Sequence, residues 1–117
     1  MKRLTFAVLL AWSGLAHAFE AGILYGDCRD GKPVCEAYFA GFTQAAFTYE
    51  AMRKGVPNVE PRFCPEGEVS VGRIVTLFKE RMERYPELQD NAAISEVFRT
   101  LEEAFPCSAG EPPPGPR

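Results

Sequence analysis

Histidine and tryptophan are almost absent from this sequence, and the few present lie at its beginning. The single histidine, His17, and the single tryptophan, Trp12, both fall within the first 18 of the 117 residues. If those residues are removed after export, no histidine remains, which excludes Ser-His-Asp and Cys-His catalysis and any histidine-based metal site. A glycine-rich phosphate loop after a strand is also missing. We therefore predict a protein that is not an enzyme, with no catalytic residue, metal site or cofactor.

The first 18 residues have the three parts of a secretory signal peptide. Two basic residues come first, residues 4–15 are mainly apolar, and Ala16 and Ala18 place small side chains before a cut at Phe19. The apolar stretch is short for a membrane span, and position 19 is not the cysteine of a lipoprotein anchor. We predict export with cleavage after Ala18; an uncleaved signal anchor is the alternative.

Acidic residues outnumber basic ones in the part that would be exported. Two of the 13 basic residues and none of the 16 acidic ones precede residue 19, which leaves 11 against 16, or a net charge of −5. This charge disfavours nucleic acid and anionic membranes as partners and suits a partner with a basic surface, although solubility explains it equally well. Residues 108–117 contain four prolines and two glycines, which predicts a disordered Pro-rich tail after a folded domain of residues 19–107.

Helical periodicity runs through most of residues 19–107. We predict helices over about Glu20–Cys28, from Pro33 to Lys54, from Val71 to about Tyr85, and over about residues 94–105. Pro33 suits the first position of a helix, Ser70 suits the N-cap of the third helix, and Pro86 should end it. The predicted fold class is all-α: a small disulfide-stapled bundle of about four helices.

The apolar positions of these helices define a candidate core. In the last three helices they are Cys35, Tyr38, Phe42, Ala45, Tyr49 and Met52; Val71, Ile74, Val75, Phe78, Met82 and Tyr85; and Ile94, Val97, Phe98, Leu101 and Phe105. Gly41 lies within the first of these stripes, where the close approach of a neighbouring helix would explain a glycine. Phe39 and Phe47 lie off that stripe and are expected either in the core or at a homodimer interface.

One predicted helix carries alternating charges. Glu80, Glu83 and Glu87 are three or four residues apart and are interleaved with Arg81 and Arg84. This pattern predicts a solvated, ion-paired helix face.

The four cysteines all lie between residues 19 and 107. An even number in a small exported domain predicts disulfides, whereas a zinc site would need paired short spacings or histidines. A short connection makes the last two helices antiparallel neighbours, so Cys64, before one, should lie beside Cys107, after the other. Cys28 and Cys35 flank a tight turn. Among the three pairings we therefore favour Cys28–Cys35 with Cys64–Cys107.

Several short motifs occur in an order that is similar to a known family. The chain contains Cys35-x-x-Tyr38-x-x-Gly41, then Phe63-Cys64-Pro65, then Val69-Ser70-Val71-Gly72-Arg73-Ile74-Val75, then Tyr85-Pro86-Glu87, then Ala104-Phe105-Pro106-Cys107. In these motifs it resembles the resistance-associated-protein/Tai family, which are periplasmic immunity proteins against type VI secretion amidase effectors. The resemblance covers about residues 28–107.

The resemblance implies a small helical protein, often a homodimer, that binds a cognate effector amidase in the periplasm and blocks its active site. Exposed loops usually carry recognition, so the candidates are the loop 55–68 and the connection 86–91. We favour Glu87, Gln89 and Asp90 as the residues that enter a partner's cleft; a merely solvated turn is the alternative. A periplasmic stress chaperone and a small-ligand-binding helical protein are the competing functions.

Overall fold

The computed structural model describes residues 19–107. They form four α-helices, α1 (Ala21–Arg29), α2 (Pro33–Arg53), α3 (Val71–Arg84) and α4 (Ala93–Ala104), with a 3₁₀ helix (Pro86–Asp90) between the last two. This part of the chain has no strand, and an isolated antiparallel bridge joins Glu20 to Ala92. The predicted all-α class is confirmed. The predicted signal peptide, 1–18, and the predicted tail, 108–117, lie outside the described residues.

Local chemistry accounts for the ends of the helices. Pro33 is the first residue of α2, where its missing N–H is no loss. The Ser70 hydroxyl accepts a hydrogen bond from the Arg73 N–H at 3.2 Å and so caps α3, which ends just before Pro86. The turn between α1 and α2 contains Gly31 at a φ of 68°, a conformation that glycine adopts readily. Each predicted helix boundary lies within about one residue of the observed one.

The core lies where the four helices meet. Its largest fully buried apolar side chains are Leu24, Phe39, Phe63, Ile74, Phe78, Met82, Val97 and Leu101. The Phe39 ring of α2 lies 5.2 Å from the Phe78 ring of α3, centroid to centroid. Phe47 packs edge-on against Phe63 at 5.5 Å. Phe39 therefore belongs to the core rather than to an interface, and Phe47 anchors the loop that contains Phe63.

Several core assignments from the sequence are wrong. Tyr49 and Met52 are 58% and 73% exposed, Ile94 is 53% exposed, and Ala45 is exposed as well. Gly41 is also exposed, and a Cβ added there would have no atom within 4 Å, so no neighbouring helix approaches it. The buried stripe of α2 instead consists of Cys35, Phe39, Thr43, Ala46 and Glu50. Hydrophobicity alone could not indicate this stripe, because two of its five members are polar.

Two disulfides fasten the bundle, and they are the two pairs expected. Cys28–Cys35 joins the end of α1 to the start of α2, and Cys64–Cys107 joins the loop before α3 to the segment after α4. Their Cα–Cα distances are 5.0 and 4.7 Å, within the normal range for a disulfide. None of the helices formed by residues 19–107 combines the length and the apolar character needed to cross a membrane.

Candidate functional site

The three residues favoured for partner binding lie on the 3₁₀ helix. A 3₁₀ helix has about three residues per turn, so Glu87 and Asp90 lie on the same side of it. Both side chains are exposed, whereas Leu88 between them is buried in the core. The connection 86–91 is therefore a short helix with a buried apolar anchor rather than a merely solvated turn. We call Glu87 and Asp90 together the acidic face.

Gln89 has a different environment from its two neighbours. It is half-buried where the 3₁₀ helix packs on α1, opposite Gly22. A Cβ added to Gly22 would stand 3.0 Å from the Gln89 Cβ and 3.1 Å from the Gln89 carbonyl oxygen. The structure thus brings Glu87 and Asp90 together and turns Gln89 towards α1. The close approach expected at Gly41 occurs instead at Gly22.

Main-chain hydrogen bonds tie the end of the 3₁₀ helix to the beginning of the domain. The Ala21 N–H donates to the Asn91 carbonyl at 2.8 Å, and the Ala93 N–H donates to the Phe19 carbonyl at 2.7 Å. Together with the Glu20–Ala92 bridge, these bonds pair residues 19–21 with residues 91–93. The acidic face therefore stands on a segment held at its carboxyl end by the backbone of another part of the chain.

A buried ion pair lies between α3 and α4, close to the end of the 3₁₀ helix. Arg81 Nε donates to Glu96 Oε2 at 3.3 Å, and these side chains are only 4% and 1% exposed. Asn91 Nδ2 donates to the other carboxylate oxygen, Glu96 Oε1, at 2.9 Å. Arg81 also bonds to Glu103 through Nη1. Both oxygens of Glu96 are thus engaged, one by α3 and one by the residue that follows the acidic face.

The burial of Arg81 corrects the predicted solvated face of α3. Glu80, Glu83 and Arg84 are exposed as predicted, whereas Arg81 is buried. Its position continues the buried stripe of Ile74 and Phe78 at intervals of four and three residues, so its side chain enters the bundle. The sequence signal that could have found it is this spacing, which conflicts with the charge of the residue.

Glu83, on the exposed side of α3, is engaged with α1. The Tyr25 hydroxyl donates to Glu83 Oε1 at 3.1 Å. Partial desolvation, followed by this hydrogen bond and the negative charge of Glu83, raises the pKa of the Tyr25 phenol above its usual value. This hydrogen bond joins the exposed side of α3 to α1.

The loop 55–68, the other candidate for recognition, is held by polar contacts at several points. Arg53 Nη2 donates to the Glu60 carbonyl at 2.6 Å, and the Arg62 N–H donates to Glu50 Oε2 at 3.3 Å. Arg62 Nε donates to Glu102 Oε1 at 2.9 Å. These bonds attach the loop to both α2 and α4, so it is a fixed part of the surface.

An open cavity of about 510 Å³ lies at the end of this loop, beside the start of α3. It is lined by Phe47, Pro65, Gly67, Glu68, Val69 and Ser70. The polar side chains of this lining are Glu68 and Ser70, and the Ser70 hydroxyl also accepts the capping hydrogen bond of α3. This lining lacks the several convergent polar groups that usually orient a small molecule.

The surface of residues 19–107 presents charge and shape that a binding partner could recognise. Among residues 19–107, no three histidine, cysteine, aspartate or glutamate side chains lie close enough together to hold a metal ion. All four cysteines of this region are in disulfides. The feature with the clearest capacity for recognition is the acidic face, two carboxylates on a short helix that is anchored by the buried Leu88 and held at its carboxyl end by main-chain hydrogen bonds.

Comparison with known proteins identifies a family. A protein-family model described as Rap1a immunity proteins matches residues 20–107, which is more than half of the chain and includes α1 to α4 and the two disulfides described above. Neither the curated proteins nor the solved structures give a significant match.

Proposed function

Because the chain belongs to the family of Rap1a immunity proteins, we propose that it protects the cell that makes it by binding and inhibiting a cognate effector amidase. The effector would cleave peptidoglycan and be delivered by a type VI secretion system. The chain would meet it in the periplasm, which the predicted signal peptide 1–18 would allow it to reach. The observation that carries the proposal is the fixed acidic face on a domain of this family.

An inhibitor of this kind needs a surface that is already in its binding conformation. The 3₁₀ helix meets this need because Leu88 is buried beneath it and Asn91 is bonded to α1. A fixed segment loses little conformational entropy on binding, which leaves more of the contact free energy for affinity. The two exposed carboxylates would also speed association with a positively charged cleft.

The test requires the candidate partner, an exported amidase encoded beside the gene for this chain. We expect the two proteins to form a complex and the amidase to lose activity on purified peptidoglycan when the chain is added. Asp90→Lys should weaken the complex by at least about tenfold, because it reverses one charge of the acidic face.

Glu36→Lys is the matched control for this variant. Glu36 is exposed on the first turn of α2, and its substitution changes the net charge by the same amount. It should leave the affinity within about twofold. The proposal is wrong if the amidase binds no more tightly than an unrelated protein and is harmless in the periplasm of cells that lack this chain.

We also propose that the chain forms a homodimer through the outer face of α2. This face consists of Val34, Gly41, Ala45, Thr48 and Met52, all exposed and spaced so that they share one side of a 21-residue helix. Its lack of charge and its small central residues would allow a second helix to approach closely, and exposed apolar faces usually mark interfaces. Light scattering would show a particle of twice the chain mass.

A further inference from the structure

We propose that Asn91 and the buried Glu96 are positioning residues for partner binding, which hold the 3₁₀ helix so that the acidic face points outwards. This inference rests on the proposed function, because it takes Glu87 and Asp90 as contacts of the partner. It assigns a role to the buried charge of Glu96, whose presence the acidic face alone does not explain.

Asn91 joins three parts of the molecule at the end of the 3₁₀ helix. Its side chain donates to Glu96 Oε1 at 2.9 Å, its N–H donates to the Leu88 carbonyl at 3.1 Å, and its carbonyl accepts from the Ala21 N–H at 2.8 Å. Asp90 is the preceding residue. The direction of the Asp90 carboxylate therefore depends on a residue that is bonded to α4, to the 3₁₀ helix and to α1.

Stability alone does not require a carboxylate at position 96. Burying a charge carries a large desolvation cost, and a buried ion pair can often be replaced by apolar side chains of similar volume without loss of stability. Glu96 nevertheless lies almost completely buried among apolar residues of α4, paired with Arg81. What an apolar side chain could not supply is a hydrogen-bond acceptor for Asn91.

The orientation of Glu96 is itself determined by two contacts. Arg81 engages Oε2 at 3.3 Å, which leaves Oε1 directed to Asn91, and Arg99 Nε lies 4.0 Å from Oε1. A carboxylate held at both oxygens keeps its acceptor in one place. Through Asn91, the buried pair thus holds the segment that carries the acidic face in a fixed position relative to α3 and α4.

The experiment compares Asn91→Ala with Thr100→Val. The Thr100 hydroxyl, on the same helix as Glu96, donates to the Glu96 carbonyl at 2.8 Å. Each substitution therefore removes one hydrogen bond to Glu96, but only Asn91 touches the segment of the acidic face. Thr100→Val keeps the shape of the side chain and is the control for losing a hydrogen bond inside α4.

We expect Asn91→Ala to lower the affinity for the amidase about tenfold and to speed amide exchange at residues 88–91 of the free protein. Thr100→Val should leave both within about twofold of the wild type. Asn91→Asp, which keeps the size but replaces the donor amide with a carboxylate facing Glu96, is the second variant and should behave like Asn91→Ala. A loss of affinity that merely follows the loss of stability in all three variants would overturn the positioning role.

Asp90→Lys, measured in parallel, separates this inference from the proposed function. If Asp90→Lys weakens the complex and Asn91→Ala does not, only the positioning role is wrong. If Asp90→Lys leaves the affinity unchanged, the acidic face is not the binding surface and the positioning role is wrong with it. Unchanged amide exchange at residues 88–91 in the Asn91 variants would also overturn the positioning role, independently of any partner.

Discussion

The side chain of Arg81 shows how neighbouring helices can reverse the expected environment of a charged residue. On α3 it occupies a position that faces α4, and Glu96 occupies the facing position on α4. Each charge is accommodated only because the other lies opposite, with further hydrogen bonds from Asn91 and to Glu103. A buried ion pair of this kind makes each partner costly to remove alone.

Arg81→Met should therefore be strongly destabilising. It leaves Glu96 buried without its closest cation, and we expect the free energy of unfolding to fall by about 3 kcal/mol or more. Urea unfolding followed by circular dichroism measures this change. Arg84→Met, at an exposed arginine of the same helix, should change it by less than about 0.5 kcal/mol.

The double variant Arg81→Met, Glu96→Gln tests the reason for this loss. Since glutamine carries no charge, its burial without Arg81 costs less, and the double variant should be more stable than Arg81→Met alone. If the loss of stability in the double variant equals the sum of the losses in Arg81→Met and Glu96→Gln measured separately, the pair is not coupled and the explanation fails.

At the scale of the elements, α1 contains two glycines with opposite roles. Gly22 faces the 3₁₀ helix, with the Gln89 Cβ 3.0 Å from the place of an added Cβ, whereas an added Cβ at Gly26 would meet nothing within 4 Å. Both lie inside the same helix. The first is explained by close packing, and the second only lowers the helical propensity of α1.

The same substitution at these two sites should therefore have opposite effects. Gly26→Ala should raise the free energy of unfolding by about 0.5–1 kcal/mol, because alanine has the higher helix propensity. Gly22→Ala should lower it, because the new methyl group displaces Gln89 and its backbone. Thermal unfolding of the two variants gives the comparison, and stabilisation by Gly22→Ala would show that the 3₁₀ helix moves away without loss.

The exposed helix α2 leads to an expectation for the whole molecule. If its outer face joins two copies, Met52→Arg should convert a dimer into a monomer at micromolar concentration, because the arginine would lie within an apolar contact. Light scattering and sedimentation measure the mass. Val59→Arg, at an exposed apolar residue outside α2, is the control and should remain dimeric. A wild-type chain that is monomeric at these concentrations would contradict the proposed dimer.

Local features of the sequence determined much of the fold. The positions of Pro33, Ser70 and Pro86 set the ends of helices through backbone chemistry that acts within a few residues, and each was predicted to within about one residue. The pair Cys64–Cys107 followed from the order of the helices, because a short connection makes neighbours antiparallel, and the pair Cys28–Cys35 followed from the tight turn between its two cysteines.

Only the tertiary structure decided which side of each helix is buried and which polar residues lie inside. Glu50, Arg81 and Glu96 are buried because partners from elsewhere in the chain satisfy them, and no periodicity in the sequence reveals those partners. The candidate site shows the same division between what the sequence predicts and what only the tertiary structure decides. Its three residues could be assigned to an exposed connection, but the packing of the 3₁₀ helix on Gly22 separates Gln89 from the acidic face.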